Sequence, residues 1–305
     1  MSDPVAIVYG KPSEPFVEPI RELNDPDIYL FSTEKPPDPL PKVRAVYMRV
    51  GETLRFNACR EGRRIQERFR SAGSKILNGL GHKYYSARKD IAYRILETRG
   101  IRVPWSLSFP TNNEVNYAID DGLIRYPMLM RQVDALNAIG MRLIMGDDDL
   151  RQSLKELDKA RDRYMVCEYL DATNRDGYHE KWRTYVFGGR VDMWEAGIAR
   201  NWRVNLASNL DFAPADFVKA NDPARWPEKW GAVCVEAARI LGLDICAFDV
   251  IADARGEPVI LDINDTYGSS ADLIEKTKKV RLFSDEVRAI RAGHYARLVA
   301  WMRSL

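Results

Sequence analysis

Residues 245–268 read ICAFDVIADARGEPVILDINDTYG, and no other stretch constrains the chain as much. Two apolar runs, 244–252 and 258–263, flank the turn DARGE, which is the pattern of a hairpin with largely buried strands. Asp249 falls within the first strand, while Asp262 and Asn264 lie two residues apart on the second and therefore point to one face. Carboxylates embedded in apolar sequence are costly unless their charge is compensated. A divalent cation compensates it, and two acids with a neutral amide are hard oxygen donors suited to Mg2+ or Mn2+ bridging phosphate oxygens. The competing reading is an exposed hairpin face carrying solvated acids near a turn, which a D…DxN pattern alone does not exclude.

Upstream, the chain alternates strand and helix signals. VAIVY (5–9) reads as a buried strand, 16–23 as a short helix, DIYLFS (27–32) as a second strand and VRAVYMRV (43–50) as a third. Strand–helix–strand order implies a parallel sheet with right-handed crossovers. The prolines of EKPPDPLPK (34–42) exclude a regular element there. From Ser86, a candidate N-cap, SARKDIAYRILETRG has helical spacing and closes on Gly100. Short strands are expected at 126–131 and 164–170, a helix at 150–160, and a hairpin turning on Gly188-Gly189 between 183–187 and 190–194. A helix over 230–241 stops at Gly242, and the tail 284–303 is helical.

Composition narrows the function classes. Of 305 residues, 46% are hydrophobic and 30% charged, an ordinary globular balance, and the net charge of +2 provides no field to recruit nucleic acid or an anionic membrane. Cys59, Cys167, Cys234 and Cys246 are scattered without a CxxC pair, as expected for free thiols in a reducing compartment. The N-terminus lacks the basic and long apolar segments of a signal peptide, and no apolar run reaches membrane-span length. A cytoplasmic protein is the expectation. His82, His179 and His294 form no nucleophile or zinc motif, and His179, beside Glu180 in a charged stretch, reads as a solvated loop residue in preference to a substrate contact. The run REGRRIQERFR (60–70) reads as a helix face with i,i+4 ion pairs. Trp194, Trp202 and Trp226 suit either a pocket lining or the core.

The 245–268 stretch resembles the C-terminal signature of the ATP-grasp superfamily, in which an acid on one strand is followed by [Glu/Asp]-x-Asn on the next. Four further pieces resemble that superfamily in its own order. SARKDIAYRILETRGIRVPWSL (86–107) is similar to its lysine-bearing helix and Gly-Ile-x-Val-Pro strand, and YPMLMRQ (126–132) to a strand ending in a phosphate-binding lysine. YMVCEYL (164–170) is similar to the hinge strand at adenine, and KWRTYVFGGRV (181–191) to a strand pair carrying a phosphate-contacting arginine. The resemblance implies an α/β architecture, an ATP-grasp fold preceded by a small parallel-sheet α/β domain. The expected division is an N-terminal domain over 1–85, a central lid over 86–165 and a C-terminal subdomain over 166–305.

The resemblance also implies roles. Lys89 and Arg131 would contact phosphates, with a solvated helix lysine as the alternative for Lys89. Glu168, Tyr169 and Leu170 would read adenine. Arg183 would steady the transferring phosphoryl group, unless it serves only a cross-strand ion pair. Arg203 and Asn205 match an Arg-x-Asn stretch of ligases of the ribosomal-protein-modifying and glutathione-synthesising type, against a plain surface loop. Asp249, Asp262 and Asn264 would hold the metal. One departure stands out, since QVDALNAIGMRLI (132–144) has a single glycine where the superfamily has a glycine-rich phosphate loop. The implied activity is an ATP- and Mg2+-dependent carboxylate–amine ligase acting on a small-molecule or peptide carboxylate and an amine. The alternatives are a phosphotransferase on the same fold or a catalytically weak nucleotide-binding sensor. Dimerisation is common in such folds, and no feature of the sequence demonstrates it.

Overall fold

The computed structural model describes residues 3–10, 16–50, 56–81, 88–109, 112–133, 140–157, 164–205, 211–265, 268, 271, 274–275 and 279–305. The Ser86 cap, His82 and most of the glycine-poor loop, including Asn137, lie outside these residues.

Three four-stranded sheets organise the chain. The first holds β1 (Val5–Tyr9), β2 (Ile28–Ser32), β3 (Ala45–Arg49) and β4 (Lys75–Leu77) in the order β2-β1-β3-β4, all parallel, as the strand–helix alternation predicts. One face is covered by helix Phe56–Ser71, whose Ile65 and Phe69 pack on Ala6, Val8, Val46 and Met48. On the outer face of this helix the observed pairs are i,i+3, Glu61–Arg64 and Glu67–Arg70, rather than i,i+4, and Arg68 instead reaches Asp38.

The second sheet, β5 (Ser106–Phe109), β6 (Met128–Gln132), β7 (Arg142–Ile144) and β8 (Tyr164–Glu168), is antiparallel in the order β5-β8-β6-β7. It covers its own small core with helices Asn112–Asp120 and Asp147–Leu157. This lid sheet therefore runs through Glu168, past the expected break at 165. Helix Lys89–Thr98, expected in the lid, buries Ala92, Tyr93 and Leu96 in the C-terminal core instead.

The third sheet comprises β9 (His179–Phe187), β10 (Arg190–Ala199), β11 (Ile245–Ala252) and β12 (Pro258–Asn264), antiparallel in the order β10-β9-β11-β12. The hairpin turn between β9 and β10 has φ of 60° at Gly188 and 72° at Gly189, the left-handed pair that a two-residue turn requires. Trp301 covers Gly188 so closely that a Cβ would lie 2.6 Å from its Nε1, a second reason for glycine there.

Alternation splits this sheet between two cores. Trp182, Val186, Cys246, Phe248 and Val250 face helix Gly231–Leu241. Tyr185, Phe187, Ile245 and Ala247 face the C-terminal helix Asp285–Arg303 and the first sheet, through Leu298, Val299, Met302, Val5, Ile7 and Tyr47. The helix starts where the Ser284 hydroxyl accepts from Val287 N at 3.2 Å. Among the described residues no helix is long and apolar enough to cross a membrane.

The same helix is tied to β10 by buried charge. His294 Nδ1 lies 2.6 Å from Asp192 Oδ2, and Arg297 donates to both Asp192 oxygens at 2.7 and 2.8 Å. Burial pushes the Asp192 carboxyl up, but its bonds to Arg297 and His294 more than reverse this and leave it at about 2. A folded-state pKa below the unfolded one adds stability that is full above about 3.9 and is lost as pH falls toward about 2. In acid titrations followed by circular dichroism, Asp192→Asn is expected to remove that part of the acid limb. At neutral pH it should lower stability by on the order of 2 kcal/mol.

Candidate functional site

A cleft opens between the lid sheet and the cleft-facing side of β9, β11 and β12, and helix Lys89–Thr98 closes one end. The odd-numbered side chains of β9 supply its floor. His179, Lys181 and Arg183 line the cleft, and the same face continues into the core as Tyr185 and Phe187.

Across the sheet, Asp249 pairs in register with Arg183 on one side and Asp262 on the other, and Ala247 pairs with Asn264. An irregularity after Asp249 skips Leu261 in the ladder. Ile260 and Ile263 thereby stay in the core while Asp262 and Asn264 line the cleft. The two carboxylates and the amide that the sequence placed on one face are therefore together.

Each carboxylate already carries cations. Asp249, 3% exposed, accepts from Arg183 Nε on Oδ1 at 2.7 Å, and on Oδ2 from Lys181 Nζ at 2.7 Å and Arg183 Nη2 at 3.2 Å. Burial pushes its carboxyl up, yet the Arg183 and Lys181 charges prevail and hold it well below the usual carboxylate range. Burial likewise opposes the charge on Arg183, and Asp249 more than restores it. Lys89 Nζ lies 2.7 Å from Asp262 Oδ1, and Lys89 is buried. The solvated-lysine alternative is thus excluded for Lys89, and the cross-strand ion pair expected as the alternative for Arg183 is present. One helical turn on from Lys89, Tyr93 donates its hydroxyl to the Leu261 carbonyl, fixing this helix against β12 beside Asp262.

The lid supplies the opposite wall. Arg131 of β6 is buried and lines the cleft with Leu129, Met165 and Cys167. Burial pushes the Cys167 thiol up to about 11, which keeps it protonated and unreactive. Glu168, Tyr169 and Leu170 line the cleft where β8 ends. The Glu168 carboxylate is committed locally, bound by Arg102 Nη2 at 2.7 and 2.9 Å and by Trp105 N at 3.2 Å. Its own N–H donates to Trp105 O at 2.9 Å. Arg203 and Asn205 both line the cleft, and Arg203 Nη2 donates to Met141 O of the lid at 2.7 Å, so the segment after β10 touches both walls.

The structure decides between the alternatives for His179 and for the tryptophans. His179 is a strand residue lining the cleft rather than part of a solvated loop, with Nδ1 3.4 Å from Thr173 Oγ1 and 3.6 Å from Asp171 Oδ1. Of the three tryptophans, Trp202 lines the cleft, Trp194 belongs to the core and Trp226 packs against it, partly buried. Lys181 was not singled out from sequence. Its position two residues before Arg183, on the same strand face, was the available signal.

The donor set suits a divalent cation. Asp249, Asp262 and Asn264 can each offer a hard oxygen ligand, and the buried Asn264 Nδ2, a donor without a hydrogen-bond partner among the described residues, suits an oxygen of a bound phosphate. Among the described residues there is no cluster of three or more His, Cys, Asp or Glu side chains able to hold a metal by themselves. Two acids with one amide fit an ion that takes its remaining ligands from phosphate or water.

A parallel α/β sheet, an antiparallel lid and a larger antiparallel sheet with a charged cleft between them constitute the ATP-grasp fold, and the motif resemblance is borne out at that level. The solved structure of the ATP-grasp ligase PsnB, complexed with precursor peptide PsnA2 and AMPPNP, superimposes over 98% of both chains with TM-score 0.61 and 18% identity. The D-alanine–D-alanine ligase of Bacillus anthracis complexed with ATP gives TM-score 0.58 at 15% identity over 91% of each chain. In sequence, the chain is similar to a probable alpha-L-glutamate ligase of Teredinibacter turnerae, 23% identical over 231 residues, covering 75% of this chain and 70% of that protein. No protein-family profile matches.

Proposed function

We propose that the chain is an ATP-dependent carboxylate–amine ligase working through an acyl phosphate. The observation that carries this reading is the facing pair Asp249 and Asp262, ringed by Lys89, Lys181 and Arg183, with Arg131 on the opposite wall. With Arg203 of the same cleft, the lining cations exceed the two carboxylates by three charges, a positive excess that suits Mg-ATP, which carries about two negative charges near neutral pH. The other acids lining the cleft do not disturb that balance. Glu168 is matched by Arg102, Glu180 by Arg225 and Glu195 by Arg291. The names of the sequence relatives and structural neighbours, which are ligases, favour this activity over a phosphotransferase that stops at a phosphorylated product.

In this reading the end of β8, Glu168 to Leu170, borders the adenine, and Lys89 and Arg131 hold phosphates from two walls. Asp249, Asp262 and Asn264 would hold Mg2+ or Mn2+, which neutralises phosphate charge. A substrate carboxylate oxygen attacks the γ-phosphorus and ADP leaves. The amine then attacks the acyl carbon, phosphate departs, and the amine proton is lost to give an amide. Arg183 and Arg203 stabilise the charge that develops on the transferring group, and Asn205 orients it. The lid excludes water that would hydrolyse the acyl phosphate.

Titration calorimetry and thermal shift with ATP, with and without Mg2+, test the nucleotide site. Mg-dependent stabilisation is expected, and its absence with every divalent metal would overturn the reading. Arg131→Ala is expected to weaken Mg-ATP binding by about tenfold or more, the loss of a charge-assisted phosphate contact. Unchanged affinity would remove Arg131 from the phosphate wall.

A further inference from the structure

Asp249 is a candidate metal ligand whose Oδ2 already holds two donors. Its two oxygens, almost wholly buried, receive three hydrogen bonds from two cations. Oδ2 takes two of these bonds, so a divalent ion binding that oxygen must displace a donor, and the two donors differ. Arg183 grips both oxygens and also donates to Gly268 O at 3.4 Å. Lys181 holds only Oδ2, through a single ammonium contact on a flexible stem. On β10 its register partner is Gly197, which lines the same cleft and has no room for a side chain. A Cβ at Gly197 would meet Val204 Cγ1 at 3.2 Å.

We propose that Lys181 is a further anion-binding side chain of this cleft. It is held on Asp249 in the nucleotide-free protein and moves to a nucleotide phosphate when a divalent cation takes its place on Asp249. The exchange conserves charge compensation at every stage. Without ligand, the lysine neutralises the carboxylate. With metal and nucleotide together, the metal does so and the lysine faces phosphate. Metal without nucleotide strands the ammonium beside a cation, which disfavours binding of the metal alone. Metal and nucleotide binding are thereby coupled, and by linkage the coupling is reciprocal. This inference rests on the nucleotide site proposed above.

The test uses the whole chain and two binding measurements, Mn2+ alone by electron paramagnetic resonance and Mn-ATP by calorimetry. Lys181→Met leaves Asp249 paired with Arg183, and thermal unfolding checks that the variant is folded. Lys181→Met is expected to bind Mn2+ alone about tenfold tighter than the native chain and Mn-ATP about tenfold weaker. Lys181→Arg, which keeps the charge, is expected to stay near the native chain in the Mn2+ measurement. If Lys181→Met leaves both affinities unchanged while the native chain binds Mn-ATP, Lys181 is only a fixed ion pair and this inference fails alone. If the native chain binds no nucleotide, the proposed function fails and takes the phosphate transfer with it.

Discussion

Asp262→Asn is expected to abolish Mg-dependent nucleotide binding and to lower ADP release by about a thousandfold or more. Three effects act together at this position. The substitution removes one of the two carboxylates that face each other across β11 and β12. It leaves the buried Lys89 ammonium without the carboxylate 2.7 Å away. It also raises the positive excess of the site, so a cation is repelled more strongly. Because Asp262 is partly exposed and its backbone ladder is untouched, the fold should persist. Calorimetry with Mg-ATP and a coupled ADP assay check this. Near-native turnover would remove the assignment of Asp262 to the metal.

The largest stability effect is expected at Asn78, a fully buried residue that stitches the first sheet to the third. Its side-chain oxygen accepts from Asp244 N and Ile245 N at 2.9 and 3.1 Å, and its Nδ2 donates to Ile245 O and Asp265 O at 2.5 and 2.9 Å. Tyr47 OH also donates to Asp265 O, at 3.0 Å. The residue just after Asn264 is therefore held by the first sheet. Asn78→Ala removes four hydrogen bonds between the two sheets, leaving Asp265 O with Tyr47, and places alanine at a φ of 48°, where asparagine is better tolerated. A loss of roughly 3–5 kcal/mol is expected, read as a drop in Tm on the order of 10 °C. Asn78→Gly relieves the backbone strain and should recover only a minor part of the loss. A full recovery would show that strain, rather than hydrogen bonding, dominates.

The fold was legible where its signals are local. Proline and glycine punctuation, apolar runs and alternation located β1 to β3, the Gly188-Gly189 hairpin and β11 to β12, because each depends on residues a few positions apart. The element ends were less legible. The strand that contains KWRTYVF begins at His179, since Arg225 and Asn174 satisfy Glu180 beside the cleft and let a polar segment continue the sheet. No local pattern announces such partners.

What the sequence determined by itself is the chemistry available on the β11–β12 face and the order of pieces that defines an ATP-grasp fold, because period-two alternation sets which side chains share a face. Only the tertiary structure decided how the charges are shared. Lys89 meets Asp262, Lys181 and Arg183 meet Asp249, and Asn78 meets Asp244, Ile245 and Asp265, across separations of 66 to 187 residues. Alternation says that a lysine faces a cleft. Which carboxylate it neutralises depends on strands and a helix converging from distant parts of the chain, where low dielectric makes each unmatched charge costly.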